Sequence, residues 1–400
     1  MPDAEAIVVG GGPAGSTLAA ALAEAGHDVL LLDKARFPRH KPCSDYVNPA
    51  GALLLDDMGV LSDALRFGAR RMDGMLVHAP DGGRFLADYA GVRPGAGALG
   101  LSRLHLDRLL LDRAKAAGVI VRERAHVRDV IRDNGRVAGV VATIDGTSQD
   151  IRAPLVIGAD GRSSAVARSL HLSAPLRWPR KTALAAHYRG VTGLDRFGEM
   201  HVGHGAYAGL ALLEDGLTNV TVVVPDRAVA NRAGSIEHLF AATIHSLAEV
   251  ARKLDGAERV DRIRGVGSMA CRARRVSSDG FLLVGDAASF LDPFAGEGIY
   301  EAIRGALLAA PVASAALRAG DTSAAALAPY RAARRRAFGA KRAVSWIVQG
   351  FVNVPPAMSY VTARLAAREE LGMTLSGVLG NLDPASRALS PLFLARLLRP

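Results

Sequence analysis

The strongest constraint on this chain lies in residues 6–33. Ala6-Ile7-Val8-Val9 is a short apolar run that passes directly into Gly10-Gly11-Gly12-Pro13-Ala14-Gly15. Small residues from about Pro13 to Ala25 predict a helix, closed by Gly26 where a helix C-terminus favours glycine. Val29-Leu30-Leu31-Leu32 predicts a second buried strand that ends at Asp33. The order strand, helix, strand implies a parallel sheet with a right-handed crossover. In such a unit Gly10 permits the tight turn, Gly12 lets the backbone approach a pyrophosphate, and Gly15 lets helix and strand pack closely. An acid about 20 residues further on can accept both ribose hydroxyls of an adenosine, and Asp33 stands where that geometry requires it. A dinucleotide site follows, with the choice of dinucleotide still open.

A second constellation narrows that choice. Phe281-Leu282-Leu283-Val284 reads as a buried strand leading into Gly285-Asp286-Ala287-Ala288, and Pro293-Phe294-Ala295-Gly296-Glu297-Gly298-Ile299 precedes a helix from Tyr300. Asp286 would end a strand beside a cofactor, and Gly296 and Gly298 would open a helix N-terminus whose free N–H groups receive an anion. A reduced flavin is such an anion at N1. The bland alternative is a surface strand-turn-helix with an incidental aspartate.

The chain has 400 residues, half of them hydrophobic, enough for two or three units at about 100–200 residues per domain. Leu101 to Ala117 predicts a helix, Val119 to Val141 strands joined at Asp133-Asn134-Gly135, and Leu155-Val156-Ile157-Gly158 a buried strand. From about 175 to 270 alternating strands such as Thr218 to Val224, with an amphipathic helix near Ile236 to Lys253, predict an inserted sheet. The expected architecture is mixed α/β. A Rossmann-type domain of residues 1–75, 100–172 and 262–330 carries a substrate-binding sheet domain of 76–99 with 173–261, and a helical C-terminal region covers 331–400.

The net charge of +10 raises the question of an anionic partner. Its densest cluster, Arg331, Arg334, Arg335, Arg336, Lys341 and Arg342, lacks the interleaved aromatics of a nucleic-acid surface and reads as a solvated helix face, with a membrane or partner contact as the alternative, so no nucleic acid is expected. Cys43 and Cys271 are too few for a disulfide framework or a metal cluster. His187, His201 and His204 have no metal-ligand spacing and read as pocket or surface residues, so no metal is expected. No signal peptide and no apolar run of ~20 residues is present, so the expected location is cytoplasmic. The tail Leu392 to Arg399 either packs on the body or lies peripherally on a membrane.

These motifs together resemble the FAD-dependent oxidoreductases of the para-hydroxybenzoate hydroxylase fold, and within them the geranylgeranyl-reductase-like group. The resemblance implies FAD, with NADPH or NADH visiting as reductant. It implies cofactor contacts at Gly10, Gly12, Pro13, Ala14, Gly15, Asp33 and Lys34, at Arg103 near the diphosphate, and at Val127 and Asp160. Asp286 would meet the ribityl chain, and Pro293, Gly296, Gly298 and Ile299 would lie along the isoalloxazine. The segment Phe37-Pro38-Arg39-His40-Lys41-Pro42-Cys43 and the Gly-Glu-Gly-Ile-Tyr form of the flavin turn are similar to the reductase group. The stretch Gly205 to Leu212 lacks that group's Tyr-x-Trp-x-Phe-Pro pattern.

On that balance the expected activity is an NAD(P)H-dependent monooxygenase. It would hydroxylate an aromatic or polyketide-like small molecule through a flavin C4a-hydroperoxide. The alternative is a C=C reductase of a prenyl lipid or quinone, and a minor one a non-catalytic flavoprotein. Cys43 and Pro293 are the catalytic candidates; Cys43, Tyr46, Tyr207 and Tyr300 are the substrate-binding candidates, each with packing as its plainer role.

Overall fold

A computed structural model describes residues 2–232 and 234–399. The predicted strand-helix-strand unit forms at Ala6–Val9, Pro13–Glu24 and Val29–Leu32. Every side chain of the two strands is buried, because Ala6, Val8, Val29 and Leu31 lie under helices on one face while Ile7, Val9, Leu30 and Leu32 lie under strand residues Val127, Val137, Val140 and Ile151 on the other. Ala6–Val9 lies centrally, flanked by Val29–Leu32 and Leu155–Gly158, with Phe281–Leu283 and Ile120–Arg122 further out. Helix Gly298–Arg318 packs on helix Pro13–Glu24, and its small residues Ala302, Ala306, Ala309 and Ala313 permit close approach. A three-stranded antiparallel sheet of His126–Asp133, Arg136–Ile144 and Thr147–Arg152 sits beside this core.

A second, larger sheet runs through strands Arg84–Asp88, Gly74–His78, Phe197–Val202, Tyr207–Leu212, Leu217–Pro225 and Lys181–Arg189. Its two faces have different fates. Leu184, Ala208, Leu210 and Val222 face helices Ile236–His245 and Ala248–Lys253, which break at Ser246 and Leu247 where one longer helix is predicted. Ala183, Ala185 and His187 share the opposite face with their cross-strand partners Val223, Thr221 and Asn219, since alternate residues of a strand point the same way.

The C-terminal region is helical: Ala328–Val352, Pro355–Ala367, Glu369–Leu379 and Pro391–Leu398. The arginine-rich run on the first of these is not simply a solvated face. Arg334 and Lys341 are buried and Arg342 is half-buried, because that side of the helix lies on the turn at 289–297. Lys341 Nζ reaches Glu297 Oε1 at 2.8 Å, and Arg342 Nη2 donates to Ser289 Oγ at 2.6 Å. Phe393 and Leu397 of the tail are buried in the core of the second unit.

Candidate active site

One cavity of about 530 Å³ joins the glycine turn to the inner face of the second sheet. That volume is within the range of cofactor and ligand sites. Gly10, Gly12, Pro13, Ala14, Asp33, Lys34, Arg103, Val127, Asp160, Asp286, Gly296, Gly298 and Ile299 all line it, brought together from seven stretches of the chain. Gly15 does not line it, because it lies against the strand: a Cβ there would fall 1.8 Å from the Gly10 carbonyl oxygen, so no side chain fits.

At the glycine end, Asp33 is buried and accepts hydrogen bonds from the Gly11 and Ala35 N–H groups, each at 2.7 Å, which fixes its carboxylate at the strand end. A Cβ on Gly12 would meet only Arg39 Nη2 at 3.5 Å and Arg103 Nη2 at 3.8 Å. Arg103 is held by both oxygens of the fully buried Asp107, at 2.7 and 2.8 Å, and Arg39 Nη1 pairs with the same carboxylate at 3.0 Å. Two guanidiniums against one carboxylate leave one positive charge beside a helix N-terminus, the electrostatics a diphosphate requires. Arg39 is a candidate diphosphate contact that motif reading passed over, although it lies inside the segment Phe37 to Cys43. Asp160 Oδ2 accepts from the Ala165 N–H at 2.6 Å, while its other oxygen is buried without a partner. The donor set, the ribose-side carboxylate and the open space over Gly12 fit an FAD.

At the far end the cavity is bounded by Cys43, Tyr46, Ala183, Ala185, Thr221, Val266, Met269, Phe290 and Pro293. Gly296 has φ +64°, and a Cβ there would lie 2.5 Å from the Tyr46 ring, so the turn along the cavity requires glycine at this position. Burial pushes the Cys43 thiol up, with Arg103 opposing, and the sulfur is held as a neutral thiol. The cysteine loop is bolted to the sheet. Asn219 Nδ2 donates to the Cys43 carbonyl at 2.9 Å and to Asp45 Oδ2 at 2.8 Å, and His187 Nε2 lies 2.7 Å from the same Asp45 oxygen. His187 Nδ1 lies 2.9 Å from Asp261 Oδ2. Burial alone would lower the imidazolium, but Asp45 and then Asp261 outweigh it and push His187 up to about 9. In the sequence Asp45 stands as a loop charge near possible substrate contacts and His187 as a pocket or surface residue. Their pairing across 142 positions leaves no local signal.

Two substrate-binding candidates fall elsewhere. Tyr207 shares the chamber face with Val223 and Ala183, but the 292–294 turn covers it. Its hydroxyl donates to Asp292 Oδ1 at 2.5 Å, and its ring packs edge-on against Phe294. Burial, with Lys181 opposing, pushes the Asp292 carboxyl up. Tyr300 is directed at helix Pro49–Asp57, its Cβ 3.6 Å from where Gly51 would carry one, and does not line the cavity. Of the other histidines, His204 is exposed and His201 is buried on the outer face of the sheet. There His201, His78 and Glu199 converge, a trio with metal-capable atoms, but Lys253 already pairs with Glu199 at 3.0 Å.

The fold and cavity define a flavoprotein built on a Rossmann-type unit with an inserted sheet. Residues 3–345 match the family model described as "FAD binding domain". The chain is 30% identical over 345 residues, 85% of its own length and 84% of the relative's, to digeranylgeranylglycerophospholipid reductase 1 of Methanothermobacter thermautotrophicus. It therefore belongs to the FAD-dependent oxidoreductases of the geranylgeranyl-reductase-like group. Among solved structures, a geranylgeranyl bacteriochlorophyll reductase-like protein of Thermoplasma acidophilum shares the fold, with TM-score 0.80, 21% identity and coverage of 96% and 98% of the two chains. A flavin-dependent brominase shares it too, with TM-score 0.83, 22% identity and coverage of 94% and 93%.

Proposed function

We propose that this protein is an FAD-dependent reductase of carbon–carbon double bonds in a prenyl-chain lipid. The observation that carries the reading is the far end of the cavity, where apolar Ala183, Ala185, Val266, Met269 and Phe290 surround one neutral thiol, Cys43. An isoprenoid chain needs apolar walls and a proton source, and has no polar groups that demand fixed partners. The name of the Methanothermobacter relative and that of the Thermoplasma protein favour this reading over the monooxygenase expected from the missing Tyr-x-Trp-x-Phe-Pro pattern.

The chain's part in the reaction follows from the site. Gly10, Gly12, Pro13 and Ala14 would cradle the diphosphate with Arg39 and Arg103 beside it, Asp33 and Lys34 would flank the adenosine ribose, and Val127 would border the adenine side. Asp160, Asp286, Gly296, Gly298 and Ile299 would hold the ribityl and ring end. Pro293 has no titratable group and acts as a wall, its carbonyl accepting the Gly296 N–H at 2.9 Å to close the turn. A bound FAD, once reduced by NADPH or NADH, would supply the hydride for one alkene carbon. Cys43 Sγ gives its proton to the other carbon, so two electrons and two hydrogens enter the C=C bond and the thiolate is reprotonated from solvent. Arg103 stabilises the thiolate at that moment, since its charge opposes the burial that otherwise raises the thiol.

The experiment is mass analysis of prenyl lipids incubated with the flavoenzyme and NADPH or NADH. A gain of two hydrogens per reduced double bond is expected. Insertion of one oxygen into an aromatic substrate, with prenyl lipids unchanged, would overturn the reading.

A further inference from the structure

Both tryptophans of this chain stand at one place on its surface, and neither is absorbed by the site. Trp178 and Trp346 stack with ring centroids 5.3 Å apart, and they are 42% and 38% exposed. Large aromatic rings left half in water need an explanation when a core is available to bury them. Around them Ile347 is 38% and Val354 51% exposed.

The helix Ala328–Val352 shows why this is a face rather than a scatter. Gly339, Ala343, Trp346, Ile347 and Gly350 are all exposed, at the three- and four-residue spacing of one helix side, and none carries a polar side chain. The opposite side, with Phe338, Lys341, Val344 and Gln349, is buried. The charge around the exposed face is mainly positive. Between Asp321 and Glu369 the chain has no carboxylate, and of its arginines Arg331, Arg335 and Arg336 stand exposed higher on the helix. Arg177 and Arg180 flank Trp178, with Arg180 3.6 Å from Asp226.

We propose that this face seats the protein on an anionic lipid surface. Tryptophan is the side chain that favours the interface between water and hydrocarbon, and arginines at the rim would meet lipid phosphates while their stems lie along apolar surface. The charge argues for phospholipid over a second copy of the chain, since two such faces would bring like charges together. The same helix braces the cavity wall from its inner side. Gln349 Oε1 accepts from Lys181 Nζ at 2.8 Å, and Lys341 pairs with Glu297 of the flavin-side turn. Seating the outer face on lipid would therefore put the cavity within about one helix diameter, ~10–12 Å, of a bilayer surface. The terminal helix Pro391–Leu398 is a poorer seat, because Phe393 and Leu397 are spent on the core and Arg396 pairs with Glu370 at 2.9 Å. The proposal deepens the prenyl-lipid reading, but its test needs no turnover, so the two can fail separately.

Because both tryptophans lie in the face, their emission reports on it alone. The full-length flavoprotein is titrated with vesicles of phosphatidylglycerol and phosphatidylcholine, and with phosphatidylcholine alone, while emission and flotation are followed. A blue shift and flotation with the anionic vesicles, weakened by salt, are expected. Ile347→Asp, which keeps both reporters, should lower partitioning at least about tenfold at unchanged flavin content. Leu392→Asp on the terminal helix, where the side chain is 64% exposed, should float like the wild-type protein. Equal flotation of Ile347→Asp and wild type would overturn the proposal. So would loss of flotation in Leu392→Asp alone, or sedimentation showing that Ile347→Asp dissolves a dimer while vesicles bind neither form.

Discussion

The two ends of the cavity are built in opposite ways. At the glycine end the groups that matter follow one another along the chain: Gly10 to Gly15, then Asp33, with Arg103 at the start of its helix. At the chamber end, Cys43 is held by Asp45, His187, Asn219 and Asp261, which come from a loop, two strands of the inserted sheet and the segment beyond it. The first end would recognise a constant ligand through a backbone turn whose requirements are conformational, with the Asp33, Arg39 and Arg103 side chains adding charge. The second meets the variable ligand through side chains, and its requirements are electrostatic. A substitution at the first should remove the flavin, and one at the second should leave the protein yellow and change what it does.

The sharpest way to break that contrast is Gly15→Val. Even its Cβ falls within 1.8 Å of a backbone oxygen, so flavin binding and the fold should both be lost, read as absent flavin absorbance and a collapsed melting transition. A yellow, stable Gly15→Val protein would contradict the packing account. Next in size is Cys43→Ala, which should keep full flavin content while reoxidation of the reduced flavin by an alkene slows by about 10²–10⁴, the range for loss of a positioned proton donor. An unchanged rate would remove Cys43 from the chemistry and leave it a wall.

His187→Gln tests the bolt beneath the cysteine loop. The folded His187 is raised to about 9 from an ordinary value near 6.5, so the stability it contributes is complete below about pH 6.5 and is lost as pH rises through about 9. Wild type should therefore lose melting temperature between pH 7 and 10, and the variant should start lower and show a flatter profile there. Parallel profiles would mean that the histidine is not charged in the folded protein. The smallest effect is expected from Tyr207→Phe, which removes one hydrogen bond to Asp292 at a cost of about 1–3 kcal/mol by leaving that buried carboxyl short of a donor. Its KM for substrate should stay within about twofold, since the ring does not border the cavity. A large KM change would restore Tyr207 as a substrate contact.

What could be read in the sequence follows the same division. The parallel unit, the Gly285 to Ile299 turn and the fingerprint residues are legible because each is a contiguous run whose spacing is fixed by backbone geometry. The Tyr207 position is half legible: alternation gives the correct face of its strand, but nothing local shows that Asp292 and Phe294 would fold over it. Tyr300 is misread because one helical position decides whether a ring faces the cavity or the helix Pro49–Asp57 beside it. The arginine cluster is misread because burial of Arg334 and Lys341 depends on a turn that arrives from residues 289–297. The Asp45–His187–Asp261 chain is invisible to any local pattern, since its members lie up to 216 positions apart, 261 − 45.

The central claim is tested most directly by anaerobic mixing. The protein is reduced stoichiometrically, freed of excess reductant, and mixed without oxygen with a geranylgeranyl phospholipid dispersed in detergent, while the oxidised flavin absorbance near ~450 nm is followed. The account predicts that the oxidised band returns at a rate that rises with lipid concentration, with one saturated bond formed per flavin. A flavin that stays reduced until oxygen is admitted, whatever the lipid concentration, would contradict it.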